Sequence, residues 1–197
     1  MTSLSLAKRP DGVAVVTFDT PSSPINILSR ELFDEFAFLL DDVESDPSVR
    51  AVVFSSGKRD SFIAGANVKE FLAIRLPIEG EQFSRTGHAL LDRIARCPKP
   101  FVAAIHGAAF GGGLEVALAC HYRIATDDPK TQLALPEVTL GLLPGGGGTQ
   151  RLPRAVGLSQ ALPMLLTGKR VRARKAFRMG LVDAVVPAYG LVEVAAE

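Results

Sequence analysis

The feature that most constrains this chain is a set of short apolar runs alternating with amphipathic segments. Ala51–Phe54, Phe101–Ile105 and Tyr122–Ala125 are four or five residues long and carry almost no polar positions. Runs this short, apolar without alternation, read as strands buried on both faces. Val13–Phe18, a β-branched run after Asp11-Gly12, reads as a further strand, and Leu181–Val186 as a last one. Between them lie helical patterns. Ser29 caps Arg30–Glu44, where Leu32, Phe33, Phe36, Leu39, Leu40 and Val43 recur at helical spacing and Pro47 ends the run. Phe83–Cys97 is an amphipathic helix stopped by Pro98 and Pro100, Leu114–Cys120 a buried one, and Leu158–Leu166 and Val171–Met179 two more. Strands alternating with helices predict an α/β fold with parallel strand neighbours. Pro21–Pro24 reads as a turn, and Ser55–Asn67 and Gly141–Gly148 as loops. Gly107–Gly113 reads as a turn of small residues, and Val68–Glu81, loosened by Pro77 and Gly80, as a mobile segment.

Bulk properties exclude several functions. The 197 residues suit a single domain, and 22 basic against 21 acidic side chains leave a net charge of +1. That balance gives no general attraction to nucleic acid or to an anionic membrane. No apolar run approaches the ~18 residues of a membrane span. The start of the chain, with Lys8 and Arg9, has no apolar core of signal-peptide length. Cys97 and Cys120 form no Cys-x-x-Cys pair and read as buried packing residues of a reduced, cytoplasmic chain. With no Trp and two Tyr, the chain lacks the aromatic platforms that carbohydrate and single-stranded nucleic acid use.

Two glycine clusters, Gly111–Gly113 and Gly145–Gly148, invite a phosphate-loop reading that fails on spacing. Gly57-Lys58 and Gly168-Lys169 are each followed by Arg, where a Walker loop needs Ser or Thr. A dinucleotide fingerprint needs a sixth-position glycine, and that position holds Val116 or Gln150. Gly111–Gly113 instead opens an apolar helix directly after a buried strand. Helix N-termini offer unpaired N–H groups and a positive dipole end, and glycine admits close approach, so such a turn can form an oxyanion hole from main chain alone. Glu115, three residues after Gly112, falls on the same face. Glu137 follows Pro136 as the only charge between Leu133 and Leu143. Lone carboxylates in apolar settings are costly and have raised pKa values. Two of them beside glycine turns suggest general acid–base work on a carbonyl compound.

Three segments then carry a resemblance. His106–Cys120 (HGAAFGGGLEVALAC), Leu135–Pro153 (LPEVTLGLLPGGGGTQRLP) and Ser61–Asn67 (SFIAGAN) resemble, in order, motifs of the enoyl-CoA hydratase/isomerase (crotonase) family. His121–Arg123, Asp127–Lys130 and Leu166–Lys169 look most like the hydratase part of the multifunctional α-subunit of the fatty-acid β-oxidation complex. The resemblance implies an α/β, crotonase-like spiral of ββα repeats that stops short of the family's C-terminal helices. It implies that residues 1–197 are one hydratase/isomerase domain, the N-terminal piece of a longer multifunctional protein, and the Ala195–Glu197 end reads as a cut inside a helix. The implied reaction is syn hydration of a trans-2-enoyl-CoA to the 3-hydroxyacyl-CoA, with no metal or redox cofactor and coenzyme A only as part of the substrate. Glu137 is then the main acid/base and Glu115 activates the water. The N–H groups of Ala64 and Gly112 hold the thioester oxygen, and Ala64, Gly65, Ala66 and Asn67 line the adenine pocket. Two alternatives are a Δ3-to-Δ2-enoyl-CoA isomerase, which needs one base, and a non-catalytic acyl-CoA-binding fragment. The resemblance leaves room for a homo-oligomer, and for a thiolase subunit as partner of the longer protein.

Asn67 departs from the family's usual Asp, keeping an acceptor but losing the charge. Lys58, Arg59 and Lys69 flank the SFIAGAN segment and read as contacts to the coenzyme A phosphates. The six basic residues of Lys169–Arg178 read as a solvated helix face, and His88, His106 and His121, lacking ligand spacing, as structural.

Overall fold

The computed structural model describes residues 2–197. A six-stranded sheet runs in the order β1 (Leu4–Lys8), β2 (Val13–Phe18), β3 (Ala51–Ser56), β5 (Phe101–Ile105), β7 (Tyr122–Thr126), β10 (Ala184–Val186), parallel apart from the β1–β2 hairpin. A smaller sheet runs β4 (Ser61–Ile63), β6 (Ala108–Phe110), β8 (Gln132–Ala134), β9 (Val171–Arg172), with only the last pair antiparallel. The chain therefore climbs as a spiral. The central strands β3, β5 and β7 each lead into a three-residue strand of the second sheet and then into a helix, whereas β2 leads to a helix directly. After β3–β4 come α2 (Val68–Phe71) and α3 (Pro77–Arg96); after β5–β6 comes α4 (Gly112–Ala119); after β7–β8 comes α5 (Gly148–Val156). Four further helices complete the described chain: α1 (Arg30–Ser45), α6 (Leu158–Thr167), α7 (Ala173–Arg178) and α8 (Leu191–Ala196). Among the described residues no helix is long and apolar enough to cross a membrane.

The expected buried strands, the Ser29 cap and the first helix are all present; Ser29 accepts the Leu32 N–H at 3.4 Å. Other expectations need correction. The segments read as the Ser55–Asn67 loop and the Gly107–Gly113 turn contain β4 and β6, strands of three residues, too short to show a period of two. Val68–Glu81 is helical at both ends. Pro77 starts α3 rather than interrupting it, because a proline at the first helical position forfeits no hydrogen bond. Glu79 then turns back to accept from the Arg75 and Leu76 N–H groups at 2.7 and 3.2 Å. The Val171–Met179 helix is the two-residue β9 followed by α7.

The corner between the two sheets can only be glycine at position 107. Its φ is +61°, and a Cβ there would lie 2.2 Å from the Asp60 backbone. Behind this corner sits Asn26, fully buried and passed over by the sequence reading. Its side chain accepts the Thr20 N–H at 2.9 Å and donates to the Phe18 carbonyl at 2.7 Å and the Phe62 carbonyl at 3.1 Å. Its own carbonyl accepts the Ala64 N–H at 2.8 Å. One amide thus pins the ends of β2 and β4, which carry the loop that borders the site.

Replacing Asn26 with Ala strips the Thr20 N–H and the Phe18 and Phe62 carbonyls of their side-chain partner, while the Ala64 N–H keeps the main-chain carbonyl of residue 26. The loss should be about 2–3 kcal/mol of stability, read as a lower urea midpoint. An unchanged midpoint would contradict this role.

Candidate active site

A cavity of about 700 Å³ lies between the smaller sheet and helices α1 and α3, and both sequence-predicted carboxylates face it. Glu115 sits in the first turn of α4 and is 3% exposed. Its Oε1 accepts the N–H groups of Gly146 at 2.8 Å and Gly148 at 2.7 Å. These glycines are required sterically. A Cβ on Gly146 would lie 2.8 Å from Glu115 Oε2, and one on Gly148 3.0 Å from Oε1. The loop is braced from behind, where Arg151 Nη1 donates to the Gly146 carbonyl at 2.8 Å and Nη2 pairs with Asp92 at 2.5 Å. Burial pushes the Glu115 pKa up, and the two amides, with the charges of His88 and Arg151, pull against that rise.

Glu137 heads a short 3-10 turn, Glu137–Leu140, fastened by the Leu142 N–H donating to the Glu137 carbonyl at 3.0 Å. Its side chain approaches Gly111, where a Cβ would lie 3.0 Å from Oε1. Its Oε2 is buried and has no hydrogen-bond partner. Burial, with a smaller push from the Glu115 charge, raises its pKa from 4.5 to about 7. The two acids therefore differ in kind. Glu115 has two donors on one oxygen, whereas Glu137 has a buried oxygen with no hydrogen-bond partner.

The main-chain donors are placed differently from expectation at one position. Gly112 opens α4, so its N–H has no earlier helical carbonyl to bond. The Ala64 N–H, expected as the second oxyanion donor, is spent on the Asn26 carbonyl at 2.8 Å. The free amide is two residues on. Leu28 pairs with Ala66 as an isolated parallel bridge, with the Leu28 N–H donating to Gly65 at 2.9 Å and the Asn67 N–H to Leu28 at 2.8 Å. That pairing turns the Ala66 N–H away from Leu28, and among the described residues it has no acceptor. It turns toward Gly112, where a Cβ would sit 3.8 Å from the Ala66 nitrogen. Gly65, with a φ of +126°, interrupts the regular alternation of the strip, so the Ala64 amide turns to Asn26 while the bridge to Leu28 leaves the Ala66 amide free.

Ala64, Gly65 and Ala66 line the cavity. Asn67 instead caps α2, accepting the Lys69 N–H at 3.2 Å and donating to Glu70 at 3.0 Å. Lys58 is tied down by an ion pair with Asp19 and a 2.6 Å bond to the Thr20 carbonyl, which engages it away from the cavity. Lys69 is exposed on α2, and Arg59 borders a separate, polar cavity.

Residues 8–197 match the model of the family described as enoyl-CoA hydratase/isomerase. The chain is 48% identical over 195 residues to the fatty acid oxidation complex subunit alpha of Shewanella baltica. It is 50% identical over 195 residues to that of Idiomarina loihiensis. Each match covers 99% of this chain and 28% of the relative, so the chain spans little more than a quarter of the length of these curated relatives. Among solved structures, the enoyl-CoA hydratase of Geobacillus kaustophilus superposes with a TM-score of 0.92 at 36% identity, covering 98% of this chain and 72% of that one. The enoyl-CoA hydratase of Bacillus anthracis gives 0.91 at 33%, covering 98% and 74%.

The raised pKa of Glu137 makes a signed prediction about stability. Its neutral form is the one the fold favours, so its stabilising share is complete below 4.5 and is lost as pH rises through about 7. Glu137→Gln, a neutral isostere, should melt like the parent near pH 4.5 and above it at pH 8. Allowing for partial exposure, the gain at pH 8 should be about 1 kcal/mol, or roughly 2–4 °C. A difference in melting temperature that does not change with pH would contradict the assignment.

Proposed function

The chain belongs to the enoyl-CoA hydratase/isomerase family, and we propose that its cavity adds water to trans-2-enoyl-CoA thioesters, forming 3-hydroxyacyl-CoA as in the hydration step of fatty-acid β-oxidation. The observation that carries this reading is that Glu137, whose buried Oε2 lacks a hydrogen-bond partner, lines the same apolar cavity as Glu115, Ala66 and Gly112.

Each part has a chemical task. The thioester oxygen accepts from the Ala66 and Gly112 N–H groups. As water oxygen bonds to the β-carbon, the π electrons move onto that oxygen, and the two fixed dipoles stabilise the enolate. A single donor of this kind is typically worth ~10²–10³ in rate. Glu115, held by Gly146 and Gly148 through one oxygen, keeps the other for the water and takes its proton. Glu137, which with its pKa raised to about 7 keeps a substantial protonated fraction at neutral pH, delivers a proton to the α-carbon as the enolate collapses. The proton on Glu115 is returned to Glu137 between turnovers. One hydroxyl and one hydrogen are added and no electrons are lost, so the chemistry asks for no redox group.

Two measurements test this. In a crotonyl-CoA assay following loss of the conjugated thioester absorbance, Glu137→Gln and Glu115→Gln should each lower kcat/KM by about 10²–10⁴. The parent's kcat/KM should fall as pH rises through about 7, where Glu137 ionises in the free protein. Hydration by Glu137→Gln at the parent rate would overturn the proposal.

A further inference from the structure

The cavity is larger than the reacting atoms require, and one wall of it is missing a side chain. Helix α3 runs along that wall for 20 residues, and Gly87 lies in its middle, buried. Glycine inside a helix costs roughly 1 kcal/mol relative to alanine, so an unforced glycine there calls for a reason. Neither backbone conformation nor crowding supplies it. Gly87 has an ordinary helical φ, and a Cβ built on it would meet a single atom, Phe33 Cζ, at 4.0 Å. By contrast, a Cβ on Gly113 would lie 2.3 Å from the Ile63 carbonyl oxygen. The space beside Gly87 is open, and it belongs to the cavity.

Its neighbours place that space close to the chemistry. Ser84, one turn earlier on the same face, donates to the Gly145 carbonyl at 2.6 Å. Leu91, one turn later, approaches Gly146, where a Cβ would lie 3.2 Å from Leu91 Cδ1. Gly146 is one of the two residues whose amide holds Glu115. Gly87 therefore opens on the cavity within about one helical turn of the Glu115 loop. The surrounding wall is hydrocarbon: Phe33 and Phe83 at a ring separation of 5.5 Å, Phe71 and Phe83 likewise, with Leu90 and Leu91 completing it. Such a wall suits an alkyl chain and offers nothing to the polar stem of a coenzyme.

We propose that the absent side chain of Gly87 sets the acyl-chain length this site accepts, opening a channel for chains well beyond four carbons. This rests on the acyl-CoA reading given above. Each methylene fully buried against that wall should tighten binding about fourfold, and a branched side chain at position 87 would occupy the space those methylenes use.

The test is binding, which needs no turnover. Dissociation constants for butyryl-CoA and decanoyl-CoA would be measured by calorimetry on the chain and on Gly87→Ala and Gly87→Leu. The parent should bind decanoyl-CoA at least about tenfold more tightly than butyryl-CoA. Gly87→Leu should cut that ratio at least about tenfold, with Gly87→Ala between them. Gly87→Ala adds one methyl at van der Waals distance and a better helix former, so it should melt no lower than the parent. If Gly87→Leu fails to fold, the alanine ratio decides. A ratio near one in the parent, or ratios that do not change across the variants, would overturn the proposal. Loss of hydration with a length-dependent affinity would instead overturn the reaction assigned above and uphold the channel.

Discussion

Two main-chain N–H groups on one oxygen of Glu115 are the interaction on which the rest of the site depends. A carboxylate 3% exposed in an apolar cavity is costly. The amides of Gly146 and Gly148 offset that cost, and they reach it only because neither residue has a Cβ. With Glu115 held, its charge reaches Glu137, whose own main-chain N–H relieves it only in part and whose Oε2 has no hydrogen-bond partner. Burial raises the pKa of both acids, and only Glu115 has two main-chain amides pulling against the rise, so the two carboxyls are placed in different settings for proton transfer.

The fold exists in this form to bring those groups together. Three turns of the spiral carry the chain from the large sheet, through a short strand of the second sheet, into a helix. The second sheet places the Ala64–Ala66 strip beside the start of α4, so that Ala66 and Gly112 present their amides to one space. The buried Asn26 amide and the glycine at position 107 hold the corner behind that strip. The helices α1 and α3 then close the cavity with aromatic and aliphatic side chains, leaving it dry enough for fixed dipoles to be strong.

What was legible in the sequence followed burial. Ala51–Phe54 and Phe101–Ile105 announced themselves as strands because both faces are apolar, and Glu115 and Glu137 as candidates because each is a charge without charged company. What was hidden followed local hydrogen bonding. The strands β4, β6 and β8 are three residues long and are made by pairing with distant segments, so no periodicity reveals them. Asn26 carries no motif in the sequence, and only the fold shows its side chain spanning two strand ends. The choice between Ala64 and Ala66 is decided by what Asn26 and Leu28 accept and donate, which no motif states. Pro77 and Gly80 suggested looseness, yet proline at a helix start and glycine within it are compatible with α3.

The central claim is that burial and the charge on Glu115 raise the Glu137 pKa to about 7, so that it keeps a substantial protonated fraction near neutrality. Carboxyl-carbon NMR of the chain labelled with ¹³C-glutamate, with Glu137→Gln to assign the resonance, measures this directly. The account predicts a titration near pH 7 that moves toward lower pH in Glu115→Gln. A Glu137 resonance titrating at the ordinary 4.5, indifferent to Glu115, would contradict it.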